Sequence, residues 1–160
     1  MKFELDISTV GIDPGLSGAM ALLSNGRYVT EIYDWTDGPS TAAALITWIT
    51  LYDVKMTILE RVSTRPGQGV ASQGKFLRNA GWWAGALDTL STPWLEVSPQ
   101  TWQRGLIPKK SSELDKPSLT VARRQFPDAS LHLKKHHNRA DAIMMAVYAY
   151  NRVMGQLAAG

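Results

Sequence analysis

The stretch ISTVGIDPG at residues 7–15 decides the fold that is predicted for this chain. Residues 7–13 have the alternating pattern of a β-strand. Pro14 and Gly15 then end the strand, because proline cannot continue a hydrogen-bonded ladder and glycine accepts a positive φ in a turn. Asp13 is the last residue of this strand, so a carboxylate is predicted where the strand reaches the edge of the sheet.

Three more strands are predicted from the pattern that follows. Strands at 19–24 and 28–35 are joined by Asn-Gly at 25–26, which is the strongest short hairpin signal. Apolar residues at helical spacing then predict a helix at 41–52, followed by a short apolar strand at 55–60. Because a helix precedes it, this last strand is predicted to be parallel to its neighbour in the sheet.

The remaining pattern completes a layered α/β architecture. Ser40 is predicted to cap the 41–52 helix. The later elements are predicted as a loop at 61–73, a helix at 75–90, a strand at 94–97, short helices around 99–105 and 117–126, and a last helix from Asn138 to about Met154. Gly81 and Gly85 are predicted to mark close packing of the 75–90 helix. The order β-β-β-α-β-α-β-α-α-α predicts a mixed five-stranded sheet with helices on its faces, in one domain at 1–160.

Composition excludes several classes of protein. The 160 residues include no cysteine, which excludes a disulfide scaffold, a thiol nucleophile, an iron–sulfur cluster and a cysteine-based zinc site. The apolar runs are shorter than the ~20 residues that a membrane span needs. The first ten residues carry acids where a signal peptide has an apolar run. A soluble, cytoplasmic protein is therefore expected.

Positive charge is concentrated in the second half of the chain. The net charge is only +3, but the segment from residue 104 to residue 139 contains nine basic and three acidic side chains. The nine are Arg104, Lys109, Lys110, Lys116, Arg123, Arg124, Lys134, Lys135 and Arg139. They indicate either an ordinary solvated surface or an electropositive face for a polyanion, and charge alone favours the solvated surface.

Three acids are predicted to meet at one edge of the sheet. Asp13 and Glu60 end strands that stop at the same edge, and Asp141 lies in the first turn of the last helix, from which it can project over that edge. Oxygen ligands of this kind suit Mg²⁺ or Mn²⁺ better than zinc. In the alternative, Asp13 forms a turn and Asp141 favours a helix start. Asp6 is excluded because it opens the first strand at the opposite end.

His136, His137 and Asn138 precede Asp141 in the sequence. His137 and Asn138 lie four and three residues before Asp141, so either can share its face of the site. A neutral imidazole can activate a water or move a proton. For His137 this interpretation and that of a solvated residue are equally favoured, whereas His136 is predicted to be exposed at the helix start.

A glycine-rich segment at 69–76 matches the spacing of a P-loop, GxxxxGK. Phe76 occupies the place where a Ser or Thr must reach Mg²⁺, and the segment begins well after its strand ends. A nucleotide-binding P-loop is therefore rejected. The loop is still suited to follow a phosphate backbone with the basic side chains Arg61, Arg65, Lys75 and Arg78.

Six tryptophans are present. Trp48 and one of Trp82 and Trp83 are assigned to the core. Trp102, beside Arg104, has two interpretations: stacking on a base or sugar, or burial in the core, and burial is favoured.

Three motifs together resemble one family. GIDPG followed by Ser-Gly at 11–18, ILE at 58–60 and RADA at 139–142 resemble the RuvC-type Holliday junction resolvases of the ribonuclease H-like superfamily, and most of all their phage- and prophage-borne members. The likeness extends from about residue 7 to residue 150. The resemblance implies a ribonuclease H-like α/β fold.

The resemblance also implies an activity: a homodimeric endonuclease that nicks Holliday junctions and other branched DNA by two-metal hydrolysis of a phosphodiester. Asp13, Glu60 and Asp141 then hold two Mg²⁺ ions, for which Mn²⁺ substitutes, with Asn138 as a further candidate ligand. Lys116 corresponds to a family lysine that contacts the phosphate backbone. The full set of predicted DNA-binding residues is Arg61, Arg65, Lys75, Arg78, Lys109, Lys110, Lys116, Lys134 and Lys135.

The chain departs from the family pattern at two places. Cellular members have an acid or a histidine where Asn138 stands, and phage members often have an acid where His137 stands. We predict that His137 is the fourth catalytic residue, with Asp13, Glu60 and Asp141. An aromatic residue of the cellular enzymes is replaced by Ser63, which predicts a broader preference for branched DNA.

Two other classes of function are considered. An ATPase of the actin and sugar-kinase type begins with a similar Gly-Ile-Asp strand, but it needs two such domains to close on a nucleotide. A non-catalytic protein of the same fold that binds branched DNA is the closer alternative. Metal binding and cleavage of branched DNA distinguish it from the nuclease.

Overall fold

The computed structural model describes residues 6–64, 66–109 and 116–160. Its central element is one mixed sheet. Its strands are β1 (Ser8–Asp13), β2 (Ala19–Ser24), β3 (Tyr28–Asp34), β4 (Val54–Glu60) and β5 (Trp94–Val97). The spatial order is β3-β2-β1-β4-β5. The β1–β2 and β2–β3 pairs are antiparallel, whereas β1–β4 and β4–β5 are parallel. The predicted fold class is confirmed.

Helices cover both faces of this sheet. They are α1 (Gly38–Leu51), α2 (Val70–Thr89), α3 (Pro99–Gln103), α4 (Pro117–Gln125) and α5 (His137–Ala159), with one 3-10 turn at Lys134–His136. Along β1 and β2 the buried side chains alternate between the faces. Val10 and Leu22 pack with Trp48 and Trp83 of α1 and α2. Residues of α4 and α5 form a second core on the other face, so the predicted two-layer covering is confirmed.

The hairpin between β2 and β3 forms where it was expected. Asn25 and Gly26 both have positive φ, of 53° and 67°, which is the backbone of a tight hairpin turn. The side chain of Asn25 also accepts a 2.8 Å hydrogen bond from the backbone N–H of Ile7. The turn thereby fixes the start of the central strand.

Gly11 in β1 determines how closely α5 approaches the sheet. A Cβ at this position would overlap the carbonyl oxygen of Ala142, the backbone nitrogen of Ala146 and the Cβ of Met145. Only a residue without a side chain allows this contact. The long buried helix is consequently held directly against the central strand, in a fixed register relative to Asp13.

Two of the predicted details at α1 and α2 are wrong. Asp37 caps α1, not Ser40: its carboxylate accepts hydrogen bonds from the backbone N–H and the hydroxyl of Ser40, at 2.7 and 2.8 Å. Both residues are good caps, and the Pro at position 39 favours the earlier start because proline fits a first helical turn. Gly81 and Gly85 mark no close packing either, since a Cβ at each would meet open space.

The boundaries of two helices also differ from the sequence prediction. α2 begins at Val70, so most of the glycine-rich segment at 69–76 is the first part of a helix. α5 begins at His137 and extends to Ala159, which makes Asp141 its fifth residue. In the part of the chain that the structure describes, no helix combines the length and apolar character that crossing a membrane requires.

Candidate active site

Asp13 and Glu60 lie side by side at the ends of the two central parallel strands. The register pairs Ile12 of β1 with Leu59 of β4, and the next residues, Asp13 and Glu60, are therefore neighbours. Asp13 is only 9% exposed, and its Oδ1 accepts a 3.0 Å hydrogen bond from the backbone N–H of Gly15. The turn after β1 thus holds this carboxylate in place.

Asp141 reaches the same edge from the helical layer. Its neighbour Ala142 is the residue whose carbonyl group lies against Gly11. The contact that Gly11 permits therefore sets the position of Asp141 relative to the end of β1. Ser118 hydrogen-bonds the Asp141 carboxyl, and the positive charge of Lys116 acts on it from the start of α4.

The three carboxyls influence one another electrostatically. Burial, followed by the charges of Asp13 and Asp141, raises the pKa of Glu60 to about 7 against the lowering effect of a hydrogen bond from Trp102. Burial and the charge of Asp13 raise the pKa of Asp141 to about 7. Burial also raises the pKa of Asp13, although the Gly15 hydrogen bond and the charge of His137 oppose it. Ionising the three carboxyls together is therefore unfavourable here, and a bound cation would favour their ionised forms.

Trp102 contacts Glu60, and the sequence did not predict this contact. Its indole Nε1 donates a 2.8 Å hydrogen bond to Oε2 of Glu60, and its side chain is fully buried. The core interpretation of Trp102 is therefore confirmed, and the indole face is not available for stacking on a base. No local sequence pattern signals the contact, because it arises only when β5, which α3 directly follows, lies next to β4 in the sheet.

His137 and Asn138 both lie near the sheet edge that carries Asp13, and they make different contacts there. The charge of His137 lowers the pKa of Asp13, so the imidazole lies within electrostatic reach of that carboxylate. Asn138 instead donates from Nδ2 to the backbone oxygen and the hydroxyl of Ser17, at 2.6 and 3.0 Å. It ties the start of α5 to the loop after β1.

The prediction that His136 is exposed is wrong. This side chain is 5% exposed and contacts His132 edge to face, with ring centroids 4.9 Å apart. Its Nδ1 accepts a hydrogen bond from the backbone N–H of Leu133 at 3.3 Å. The 3-10 turn before α5 rotates the residue inward, a feature that helical periodicity does not predict.

Several of the predicted DNA-binding side chains lie on accessible surface. Lys75 and Arg78 on α2, Lys109, Lys116, Lys134 and Lys135 are exposed. Arg61 is also exposed, but it contacts Glu96 through an ion pair of 3.8 Å and a backbone hydrogen bond of 3.4 Å. Arg65 and Lys110 lie outside the described residues.

Two of the nine bases between residues 104 and 139 stabilise the framework. Arg139 binds both carboxylate oxygens of Asp34, at 2.7 and 2.5 Å, and thereby holds the pKa of Asp34 below its usual range. Arg123 donates to the backbone oxygen of Leu131 at 2.6 Å. The positive face is therefore smaller than the sequence count indicates.

No group of three or more His, Asp or Glu side chains within the described ranges is arranged to hold a metal ion by itself. Mg²⁺ does not require such a cage, because it keeps several waters and binds one or two carboxylates together with substrate phosphates. The donors at this edge are carboxylate oxygens with raised pKa values. Their chemistry fits a hard divalent cation.

Comparisons with known proteins identify the fold. No protein-family model matches the sequence, and no curated protein matches it. RuvC of Thermus thermophilus in complex with a Holliday junction substrate is 15% identical, with a TM-score of 0.63 over 93% of this chain and 96% of that chain. A second T. thermophilus RuvC structure is 16% identical, with a TM-score of 0.59 over 92% and 96% of the two chains.

The Fowlpox virus resolvase, solved with its substrate Holliday junction DNA, is 15% identical, with a TM-score of 0.47 over 94% of this chain and 98% of that chain. The likeness to RuvC covers nearly the whole chain and concerns the fold, since the identities are low. This chain has the ribonuclease H-like fold seen in RuvC, as its resemblance implied.

Proposed function

We propose that this protein is a metal-dependent, structure-selective endonuclease that nicks Holliday junctions and other branched DNA. One observation carries the proposal: the buried carboxyl of Asp13 and the partly buried carboxyls of Glu60 and Asp141, from β1, β4 and α5, lie within electrostatic reach of one another at one sheet edge. Burying like charges together is costly unless a cation or a proton compensates. Binding of divalent cations is the simplest way to compensate the three carboxyls.

Asp13, Glu60 and Asp141 would hold two Mg²⁺ or Mn²⁺ ions per site, with Asn138 as a further candidate ligand. The chemistry that such ions supply is activation of the attacking water and stabilisation of the leaving 3′ oxygen. Because Nδ2 of Asn138 is engaged by Ser17, its amide oxygen Oδ1 is the atom that would bind a metal.

The other residues at the edge have roles that follow from their contacts. Trp102 orients Glu60 by its hydrogen bond and leaves the second carboxylate oxygen for a ligand. His137 accepts or delivers a proton beside Asp13. Lys116, whose charge acts on Asp141, contacts the phosphate next to the scissile bond.

DNA binding is proposed for the basic side chains around this edge. The set is Arg61, Arg65, Lys75, Arg78, Lys109, Lys110, Lys116, Lys134 and Lys135. Support for a branched substrate comes from the fold, because the T. thermophilus RuvC with this fold was solved with a Holliday junction substrate. A single nuclease domain at 1–160, acting as a homodimer, would place two sites on opposing strands.

Matched DNA substrates test the proposal. Four-way, Y-shaped and linear DNA of the same sequence are incubated with the protein and Mg²⁺, Mn²⁺ or EDTA, and nicks are mapped on sequencing gels. We expect metal-dependent nicks in the branched substrates and paired symmetric nicks in the four-way junction. Binding without cleavage of any branched substrate would favour the non-catalytic alternative, and cleavage of linear DNA at the same rate would exclude structure selectivity.

A further inference from the structure

A pocket of about 280 Å³ lies beside the catalytic edge, on the α1–α2 face of the sheet. Its lining includes the indoles of Trp35 and Trp82, the basic side chains of Lys75 and Arg78, and Leu16. Aromatic surface and positive charge thus line the same cavity. The roles proposed above for the carboxyls and for Trp102 make no use of the two indoles.

The pocket adjoins the loop that leaves Asp13. Asn79 of α2, itself buried, donates from Nδ2 to the backbone oxygens of Pro14 and Gly15, at 2.7 and 3.3 Å. These hydrogen bonds attach α2 to the turn that positions the Asp13 carboxylate. Leu16 is the next residue of that loop and lies in the pocket wall. The pocket therefore begins at the loop that leads away from the Asp13 carboxylate.

Packing fixes the orientation of the two indoles. The ring centroids of Trp35 and Trp82 are 4.9 Å apart at an interplanar angle of 76°. Both contact Trp83, with centroid distances of 5.6 and 5.1 Å, and Trp83 is fully buried. Trp35 and Trp82 are only partly buried, so they present aromatic surface to the pocket without having to be ordered by a ligand.

Two positive charges of the pocket have no acidic partner among the residues that the structure describes. Lys75 and Arg78 are exposed, and neither forms an ion pair with an acid in the described segments. The acid next to the pocket residue Gly38 is Asp37, whose carboxylate accepts hydrogen bonds from Ser40 at the start of α1. Two free cations beside two indoles suit a ligand that has both a π-face and a phosphate.

We infer that this pocket binds an unpaired nucleotide of the DNA substrate, with its base against Trp35 and Trp82 and its phosphates on Lys75 and Arg78. The inference rests on the proposed function and extends it, because it assigns recognition of unpaired strand next to the scissile site. A base inside a duplex has both faces covered by its neighbours. Only an unpaired base at a branch point offers a face for an indole.

Binding of a short single strand in EDTA tests the inference apart from catalysis. Fluorescence anisotropy compares a labelled oligothymidylate of about eight nucleotides with the abasic strand of the same length, which keeps every phosphate and lacks the bases. We expect the intact strand to bind about five- to hundredfold more tightly, as one or two stacked bases contribute. Equal affinities would overturn the inference.

Protein variants then locate the binding. Trp82→Ala is expected to reduce the preference for the intact strand, whereas Trp94→Ala, at a partly buried tryptophan that bonds Asp88, is not. The double variant Lys75→Gln, Arg78→Gln is expected to weaken both strands about equally, compared with Lys55→Gln, Arg152→Gln. Because these substitutions are on the surface, they test the pocket even if Trp82→Ala fails to fold. Unchanged affinity in the Lys75, Arg78 double variant would exclude this pocket.

The two proposals fail separately. A protein that prefers the intact strand in EDTA but never nicks branched DNA would retain the pocket and lose the nuclease. A protein that nicks four-way junctions but binds intact and abasic strands equally would retain the nuclease and lose the pocket.

Discussion

At the level of the residue, the hydrogen bond from Trp102 to Glu60 is central, because it is the contact that orients a carboxylate which burial pushes toward its neutral form. The indole N–H donates to Oε2 at 2.8 Å and lowers the Glu60 pKa, while burial and neighbouring charges raise it to about 7. Removing the donor leaves only the raising effects. The ionised form of Glu60 would then require a higher pH.

Trp102→Phe is the corresponding test. The phenyl ring keeps most of the buried volume and lacks the N–H, so we expect the acidic limb of the nicking rate against pH to move to higher pH. A rate loss of roughly tenfold at neutral pH is expected, from loss of one hydrogen bond to a charged group. Steady-state nicking at several pH values measures both.

Trp94→Phe is the matched control, because Trp94 makes the same kind of bond, 3.0 Å from its indole nitrogen to Oδ1 of Asp88, away from the site. An unshifted pH profile in Trp102→Phe, or an equal shift in the control, would contradict the role given to Trp102.

The raised pKa of Asp141 has a consequence for stability. A carboxyl whose folded-state pKa is above its unfolded value binds its proton more tightly when folded. Its unfavourable effect is absent below about pH 4, grows as the pH rises toward the folded value of about 7, and is complete above it. Without metal, the wild-type protein therefore loses stability over this window.

Asp141→Asn removes that charge. In EDTA at pH 8 we expect it to raise the free energy of unfolding on the order of 1–3 kcal/mol, which is a Tm increase of several degrees, and to have little effect at pH 4. Adding Mn²⁺ should raise the Tm of the wild type and not that of the variant. Thermal unfolding by circular dichroism measures this, with Asp53→Asn as the exposed control; a lower Tm for Asp141→Asn at pH 8 would refute the pKa direction.

At the level of the element, the contact of α5 with β1 positions the third acid. A Cβ on Gly11 meets backbone atoms of Ala142 and Ala146, which cannot rotate away as a flexible side chain can. We expect Gly11→Ala to destabilise the protein by about 2 kcal/mol or more, because the helix must move away from the sheet. Chemical denaturation measures the change.

Gly155→Ala, in α5, is the control because a Cβ at this position meets open space. It should stabilise the protein by up to about 1 kcal/mol, because alanine favours helix. If Gly11→Ala were neutral, the close approach of α5 would not be what fixes Asp141.

Most of the secondary structure can be predicted from the sequence, and the reason lies in particular residues. The alternation in β1, the Asn25-Gly26 turn and the acid that ends β4 are local signals, and the structure confirms them. Competing local signals explain the errors: Asp37 and Ser40 can both cap α1. Glycines in α2 have more than one explanation in sequence, and only the three-dimensional neighbours distinguish them.

The candidate site also has features that the local sequence predicts and features that it does not. Local sequence predicts that Asp13 and Glu60 end strands, and the structure places them on adjacent parallel strands. The Trp102–Glu60 bond joins residues 42 positions apart, and the Asn138–Ser17 bond joins residues 121 apart. Such contacts depend on how β5 and α5 pack against the sheet, so no local pattern contains them.

At the level of the whole molecule, basic side chains lie beside the acidic edge: the charge of Lys116 acts on Asp141, and Lys75 and Arg78 line the pocket next to the loop after β1. The carboxyls repel DNA unless metal ions neutralise them, and the surrounding Lys and Arg attract it. Binding should therefore weaken steeply with salt, because each lysine that contacts a phosphate releases counterions.

Lys134→Gln and Lys135→Gln test this at exposed positions just before α5. We expect each to make the negative slope of log K against log salt shallower by about 1, with similar effects on all DNA shapes. Lys55→Gln, at a lysine already paired with Asp53 near the opposite end of β4, should leave the slope unchanged. Titrations at several salt concentrations measure the slopes, and a salt-independent affinity of the wild type would contradict an electrostatic DNA surface.

The central claim is that the carboxylates at this sheet edge carry out metal-dependent nicking of branched DNA. Single-turnover nicking of a labelled four-way junction by Asp13→Asn tests it most directly, with protein above the Kd measured for each variant and Asp53→Asn as the control. We expect the Asp13→Asn rate to fall at least about a hundredfold while its junction affinity stays within about threefold of the wild type. A nicking rate within a few-fold of the wild type at equal occupancy would contradict the claim.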